Sequence, residues 1–257
     1  MPSRIRWSEA AMANDTIRFF GLGLGPGNPD YMTVRARRVL ETADRLAHFC
    51  KRGRRGNGRT IADAVVGADP GREIPLVYPV TTEIPADHPD YAAALNPFYE
   101  EAAAQLLVEI EAGRTVAVLC EGDPFFYGSF MHLWWRLKDK VPTEVVPAVS
   151  GMSGAWTRAG APITWGDDVL TVVPGTLPEA ELTRRLSGTD AAVVMKLGRN
   201  LLKVRAALAT AGLLERAIYV ERATMAQEKI IPLPDLPEDF DAPYFSLVIV
   251  PGQGRRV

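Results

Sequence analysis

The stretch FFGLGLGPGNPD, residues 19–30, joins an apolar run to four glycines and two prolines. A short apolar run that ends in glycine predicts a buried strand followed by a turn. A dinucleotide-binding loop needs the pattern GxGxxG leading directly into a helix, but here Pro26 fixes its own φ and the helix is delayed. The loop therefore predicts close approach of a ligand to backbone without an obvious phosphate. An ordinary strand-to-helix turn is the alternative.

Composition indicates a globular protein with room for one large or two moderate domains. The chain has 257 residues, 47% of them apolar and 23% charged, and its net charge of -2 gives no reason to expect a nucleic-acid or membrane partner. Cys50 and Cys120 are predicted to be buried thiols rather than a disulfide, and the absence of a Cys/His cluster predicts no metal site. The lack of an apolar signal core or a membrane-length apolar run predicts a cytoplasmic protein.

Strand-like and helix-like runs alternate along the whole chain, which predicts an α/β fold with mostly parallel or mixed sheets. We expect a disordered extension over residues 1–15 and two α/β domains over residues 16–148 and 149–257. The last run, YFSLVIVPG, is almost continuously apolar and predicts a central strand. The segment between Gly53 and Pro97 fits neither period and predicts an irregular lid, binding segment or disordered loop.

A second motif, CEGDPFFYGSF over residues 120–130, repeats the theme of the first. It follows another predicted strand and places Gly122 and Asp123 in a turn that proline fixes. Both turns are expected at carboxyl ends of strands, where open α/β sheets form ligand crevices. Asp123 is a candidate acceptor for an amine or a ribose, although turn chemistry alone also explains Asp-Pro.

Several motifs in order resemble the tetrapyrrole (corrin/porphyrin) methyltransferases, which use S-adenosylmethionine. They are GLGPGNPDYMT, EGDPFFYGSF, VVPAVSGMSGAWTRAGAP, VVMKLGRNL, YVERATMAQEKI and YFSLVIV, and the resemblance spans residues 16–250. Ala148 stands where the family usually has glycine. The resemblance implies the class III methyltransferase fold, with the donor in a cleft between two domains. It also implies a homodimer.

Within the family, the likeness is closest to the subgroup that methylates C20 of precorrin-2, giving precorrin-3A in the oxygen-dependent route to cobalamin. The alternatives are the counterpart that acts on cobalt-precorrin-2 in the anaerobic route and another corrin-ring methyltransferase. The resemblance implies Tyr127 and Glu221 as candidate catalytic residues. It implies that the donor contacts Pro26, Gly122, Asp123, Tyr127, Ser150, Gly151, Met195, Lys196, Ala223, Phe245, Ser246 and Leu247.

A basic cluster precedes the proline-rich part of the irregular segment. Precorrin-2 carries many carboxylates, and arginine pairs with carboxylates bidentately. We therefore expect the cluster to clamp the substrate's acidic arms, while a solvated flexible loop is the alternative. The cluster consists of Lys51, Arg52, Arg54, Arg55 and Arg59.

Two hypotheses from other classes compete with a methyltransferase. A binding protein that holds a tetrapyrrole or nucleoside without turnover would keep the basic cluster but lose the donor loops, and both glycine turns are intact here. A nicotinamide dehydrogenase is disfavoured by Pro26 and by the missing acidic residue at the usual ribose distance. Bound S-adenosylhomocysteine in purified protein would favour the methyltransferase, and bound NAD the dehydrogenase.

Overall fold

The computed structural model describes residues 17–81 and 88–254, so the extension predicted over residues 1–15 lies outside the described part. The chain divides into two compact units. The first contains the chain up to Leu24 together with residues 32–148, and the second contains residues 25–31 and the chain from Val149 onward. Each unit has its own sheet and helices, so the predicted α/β fold class is confirmed.

The first unit is built on a five-stranded parallel sheet with the order β3-β2-β4-β1-β5. Its central strands β4 and β1 are buried over all their residues, because apolar side chains cover both faces. The strands are β1 (Phe19–Gly23), β2 (Arg45–Cys50), β3 (Glu73–Val77), β4 (Val116–Cys120) and β5 (Thr143–Val146), and the helices are α1 (Val34–Thr42), α2 (Asn57–Val66), α3 (Pro89–Glu111) and α4 (Phe130–Leu137).

The second unit contains a mixed five-stranded sheet with the order β6-β7-β10-β8-β9. Strands β6 and β7 are parallel, whereas β10 runs antiparallel to both β7 and β8. The prediction of a central final strand is confirmed, since all five residues of β10 are buried. The strands are β6 (Leu170–Pro174), β7 (Ala191–Met195), β8 (Ile218–Glu221), β9 (Lys229–Pro232) and β10 (Ser246–Val250), and the helices are α5 (Gly151–Arg158), α6 (Glu179–Leu186) and α7 (Leu201–Thr210).

The predicted irregular segment between Gly53 and Pro97 is wrong over its described part, because it contains α2, β3 and the start of α3. Pro75 lies within β3, which is tolerated because β3 is an edge strand. Pro97 lies inside α3, where packing of the buried side chains Leu95 and Tyr99 outweighs the lost backbone hydrogen bond. Tertiary structure therefore accommodates a proline in β3 and another in α3, against the local preference of this residue.

Cys50 and Cys120 are buried and free, as predicted. Burial raises the pKa of both thiols, so neither is a reactive thiolate at neutral pH. Among the helices of residues 17–81 and 88–254, none has both the length and the apolar character needed to cross a membrane.

Candidate functional site

Three loops meet at the carboxyl edge of the first sheet, because β4, β1 and β5 are adjacent and parallel. A Cβ on Gly23, at the end of β1, would lie 2.6 Å from Ala148 Cβ and 2.9 Å from Pro124 Cδ. Pro124 follows β4 and Ala148 follows β5. Gly23 is thus required by contact between these loops, and this packing, rather than a phosphate, explains part of the glycine pattern.

The carboxylate of Asp123 holds this edge together. Its Oδ1 accepts a hydrogen bond from Phe125 N at 2.9 Å, and its Oδ2 accepts one from Ala148 N at 3.1 Å. The Asp123 side chain therefore has the turn role that was the alternative interpretation, although a carboxylate has capacity for further donors. Ala148 does not have a positive φ, so alanine replaces the family's usual glycine without backbone strain.

Residues 25–31 pack within the second unit rather than beside the strand that precedes them. Gly25 and Gly27 have φ of 85° and 145°, which favour glycine. A Cβ on Gly27 would lie 2.5 Å from Met225 Cγ, and the amide of Asn28 donates to Thr224 Oγ1 at 3.1 Å. Pro26 is buried. This segment is therefore seated on the turn between β8 and β9.

The predicted donor residues of the second sheet lie at one edge. Strand β10 begins beside the end of β8, since Ser246 pairs with Glu221 and Arg222 N donates to Phe245 O at 2.9 Å. Because β10 is also antiparallel to β7, the end of β7 reaches the same edge. The structure thus brings together six predicted donor residues: Met195, Lys196, Ala223, Phe245, Ser246 and Leu247.

Strained backbone is concentrated in these edge loops. In the described parts of the chain, the non-glycine residues with positive φ are Tyr127, Lys196, Arg222 and Thr224. Tyr127 follows β4, Lys196 follows β7, and the other two follow β8. Such conformations cost roughly 1–3 kcal/mol each and cluster at ligand sites, so their placement marks the edge loops of each unit as candidate functional segments.

Helix α5 begins beside open space. Ser150 is its N-cap, with Oγ accepting from Ser153 N at 3.3 Å, and Gly151 is its first residue. A Cβ on Gly151 would meet no atom within 4 Å, whereas a Cβ on Gly154 would lie 2.9 Å from Pro26 Cβ. The backbone at Gly151 can therefore be approached by a ligand, which fits the donor contact predicted there.

The structure places Glu221, a predicted catalytic residue, inside a network of polar side chains, and its catalytic role stays a prediction. This residue is 1% exposed. Its carboxylate accepts a hydrogen bond from Tyr219 Oη at 2.9 Å, pairs with Arg222, and lies 3.6 Å from Lys229 Nζ. Glu221 is thus enclosed in a structural ion-pair network. Tyr127, in contrast, is 39% exposed, and its catalytic role stays a prediction.

The basic cluster divides into exposed and internal members. Lys51, Arg52 and Arg54 are exposed on the loop between β2 and α2, where a substrate can reach them. Arg55 donates to Asp63 and Glu73, so its charge is already partnered.

Arg59 is fully buried, and its guanidinium lies 2.9 Å from Asp63 and 3.1 Å from Glu73. Arg59 is therefore not exposed in the way that the predicted substrate clamp requires, because α2 begins at Asn57 and turns this side chain inward. The buried imidazole of His48 lies 3.7 Å from Glu73, and burial lowers its pKa. These groups form an internal charge cluster.

Glu121 is a candidate site residue that the sequence motifs did not single out. It is half-buried directly after β4, and its Oε2 accepts a hydrogen bond from Asn57 Nδ2 at 3.1 Å. Burial raises the pKa of its carboxyl to about 7, although the Asn57 hydrogen bond acts in the opposite direction. Its position immediately before Gly122 in the second motif was the available signal.

Comparison with known proteins identifies the family. The family described as Tetrapyrrole (Corrin/Porphyrin) Methylases matches residues 18–237. The chain belongs to this family. The predictions of the family and of a methyltransferase are confirmed.

Two relatives and one solved structure are similar to this methylase over most of its length. Precorrin-2 C(20)-methyltransferase of a Sinorhizobium species is 52% identical over 93% of this chain and 97% of its own. Cobalt-precorrin-2 C(20)-methyltransferase of Salmonella typhimurium is 32% identical over 91% and 95%, respectively. Uroporphyrin-III C-methyl transferase of Thermus thermophilus, solved with S-adenosylhomocysteine, has the same fold, with a TM-score of 0.65, 22% identity, and coverage of 91% of this chain and 92% of that one.

Proposed function

We propose that this methylase transfers a methyl group from S-adenosylmethionine to C20 of precorrin-2, giving precorrin-3A. The observation that carries the proposal is the 52% identity to the Sinorhizobium precorrin-2 C(20)-methyltransferase over nearly the full length of both chains. Cobalt-precorrin-2 is the second candidate substrate, because the Salmonella relative named for it is 32% identical over a similar share.

The donor is assigned to residues of both units. In the first unit these are Gly122, Asp123 and Tyr127, on the loop after β4. In the second unit they are Pro26, Ser150, Gly151, Met195, Lys196, Ala223, Phe245, Ser246 and Leu247. The bound donor supplies an electrophilic methyl group. The protein's task is then to orient C20 toward it, and such positioning contributes about 7–11 kcal/mol in well-oriented reactions.

The substrate carboxylates are assigned to Lys51, Arg52 and Arg54. These three cations are exposed, whereas Arg55 and Arg59 are held by internal carboxylates. An exposed cation that lacks a fixed partner can pair with a carboxylate without first breaking an internal ion pair. The proposal therefore narrows the predicted clamp from five residues to these three.

The proposal includes a homodimer, which the family resemblance implies, and a cytoplasmic location. Trp135 of α4 is 69% exposed, and exposed tryptophan is enriched at protein interfaces. Light scattering on the purified protein measures the mass, and a 28.1 kDa species at micromolar concentration would contradict the dimer.

The deciding experiment incubates the protein anaerobically with precorrin-2 and methyl-labelled S-adenosylmethionine, followed by NMR of the product. Label at C20 is the expected result. Label at another ring carbon would contradict the proposed regiochemistry, and transfer to neither substrate would contradict the proposed function. A parallel incubation with cobalt-precorrin-2 compares the two substrates through their kcat/KM values.

Gly151→Ala tests the donor assignment without disturbing the fold. The added methyl group meets no protein atom within 4 Å, so we expect an unchanged free energy of unfolding. If the donor fills that space, overpacking lowers its affinity by roughly tenfold or more, which isothermal titration calorimetry measures.

Thr157→Ala, at an exposed position of the same helix, is the matched control and should bind the donor like the wild type. Wild-type affinity in Gly151→Ala would remove Gly151 from the donor site.

A further inference from the structure

Glu121 is a carboxylate that neither the donor assignment nor the substrate clamp uses. It follows β4 directly and precedes Gly122, so it lies at the carboxyl edge of the first sheet. It is half-buried rather than enclosed, in contrast to Glu221, which is 1% exposed. A carboxylate in this place is desolvated and yet within reach of a ligand at the edge.

The partner of Glu121 is held in a fixed position. Asn57 is the first residue of α2, and its Nδ2 donates to Glu121 Oε2 at 3.1 Å. The start of α2 is packed tightly on the sheet, because a Cβ on Gly58 would lie 3.0 Å from Leu119 O and one on Gly56 would lie 2.1 Å from Phe49 O. Close backbone contact thus fixes the amide that orients the carboxylate.

The loop between β2 and α2 carries the residues assigned to the substrate. Lys51, Arg52 and Arg54 lie on the segment that leads into Asn57, and all three are exposed. Glu121 therefore contacts Asn57, which follows the segment assigned to substrate carboxylates, and it directly precedes the Gly122–Asp123 turn assigned to the donor. A group in that position is suited to the carbon at which substrate and donor react.

The reaction requires a proton acceptor. As the bond between C20 and the methyl carbon forms, the bond between that carbon and sulfur breaks. C20 then carries both a hydrogen and the new methyl group. Loss of the C20 proton returns the electron pair of the C–H bond to the ring. One proton is therefore released for each methyl group transferred.

We propose that the Glu121 carboxylate accepts the proton that leaves C20, and that Asn57 is its positioning residue. This inference rests on the proposed function. The neutral carboxyl group formed in this step releases its proton to water before the next turnover. Positioned proton transfer contributes typically about 10²–10⁴-fold to a rate.

The charges around Glu121 leave it free to titrate. On α2, Asn57 is neutral, and Arg59 and Asp63 pair with each other. On its own turn, the Asp123 carboxylate is held by backbone amides of Phe125 and Ala148. The loop after β5 presents the uncharged Ala148, and the cations that precede α2 in the chain are exposed. Among the described residues, no cation forms an ion pair with Glu121.

The test compares wild type with Glu121→Gln and Asn57→Ala in anaerobic C20 methylation from pH 5 to pH 9. For Glu121→Gln we expect wild-type donor affinity by calorimetry and a kcat reduced about 100-fold or more. The acidic limb of its kcat/KM profile should disappear. A deuterium isotope effect at C20 should increase, because proton loss becomes slower. Glu100→Gln, an exposed acidic residue of α3, is the matched control and should retain wild-type kinetics.

Asn57→Ala keeps the carboxylate and removes the hydrogen bond that favours its charged form, so the acidic limb should move to higher pH. This variant carries the test if Glu121→Gln does not fold. A Glu121→Gln enzyme with a wild-type rate and pH profile, or an unmoved limb in Asn57→Ala, would overturn the inference alone. Absence of C20 methylation by the wild type would overturn the proposed function and this inference together.

Discussion

At the scale of single residues, glycine and aspartate in the two motifs shape the protein before they can serve a ligand. Gly23 leaves room for Ala148 and Pro124, and Asp123 connects the turn after β4 to the loop after β5. A carboxylate that accepts two backbone amides stabilises its turn by roughly 1–3 kcal/mol per bond. These motif residues therefore hold the strand ends in place, and a donor can use the remaining capacity of Asp123.

Gly23→Ala should destabilise the protein by about 1–3 kcal/mol, because the new Cβ would lie 2.6 Å from Ala148 Cβ. Urea denaturation measures the change. Ala148→Gly in the same chain should restore part of the loss, since it removes one of the clashing atoms, while the contact at Pro124 stays. If the effects of the two substitutions on the free energy of unfolding were simply additive, the proposed contact between these residues would be contradicted.

At the scale of elements, residues 25–31 form a short segment that belongs to the second unit. Its contacts are made by Pro26 against Gly154 and by Gly27 and Asn28 against Met225 and Thr224. The Thr224 amide donates in turn to Glu228 Oε2 at 2.7 Å, and Glu228 pairs bidentately with Arg158. The segment is thus fixed through a hydrogen-bonded turn.

Thr224→Val should loosen this segment, because it removes the oxygen that accepts from Asn28 N and keeps the side-chain shape. We expect a loss of about 1 kcal/mol in the free energy of unfolding. Faster amide exchange at residues 25–31 is expected as well. Thr157→Val on the exposed face of α5 is the control. An unchanged hydrogen-exchange rate of the Asn28 amide would contradict the role of its hydrogen bond to Thr224.

At the scale of the whole molecule, buried and paired ionisable groups set the pH dependence of stability. Burial lowers the pKa values of His48 and His132, so their contributions are present above about pH 6.5 and are lost as pH falls. Arginine partners lower the pKa values of Glu109 and Glu228 below the ordinary value near 4.5, so stability falls further in acid. The raised pKa of Glu121 has the opposite effect, because ionisation of this carboxyl lowers stability as pH rises.

Glu121→Gln should change the pH dependence of unfolding in a defined sense. The carboxyl has a pKa of about 7 in the folded state and an ordinary value near 4.5 when unfolded, so its ionisation costs stability as pH rises between these values. The stability of the variant relative to wild type should therefore increase from pH 4.5 to pH 8 by about 1–3 kcal/mol.

Urea denaturation of both proteins at each pH provides this comparison, with Glu100→Gln as the exposed control. A constant difference across this range would show that Glu121 does not titrate with a raised pKa.

The sequence by itself determined the α/β class, the buried final strand, the family and the loops at the strand ends, because apolar periodicity and motif order are local properties of the chain. Only the tertiary structure decided that Arg59 and Glu221 lie inside, that β3 and α3 accommodate their prolines, and that Asn57 meets Glu121. Asn57 and Glu121 are 64 residues apart, and their contact exists because α2 packs on the carboxyl end of β4. The burial of a side chain and the identity of its partner depend on such non-local packing, which cannot be read from residue types and their local spacing.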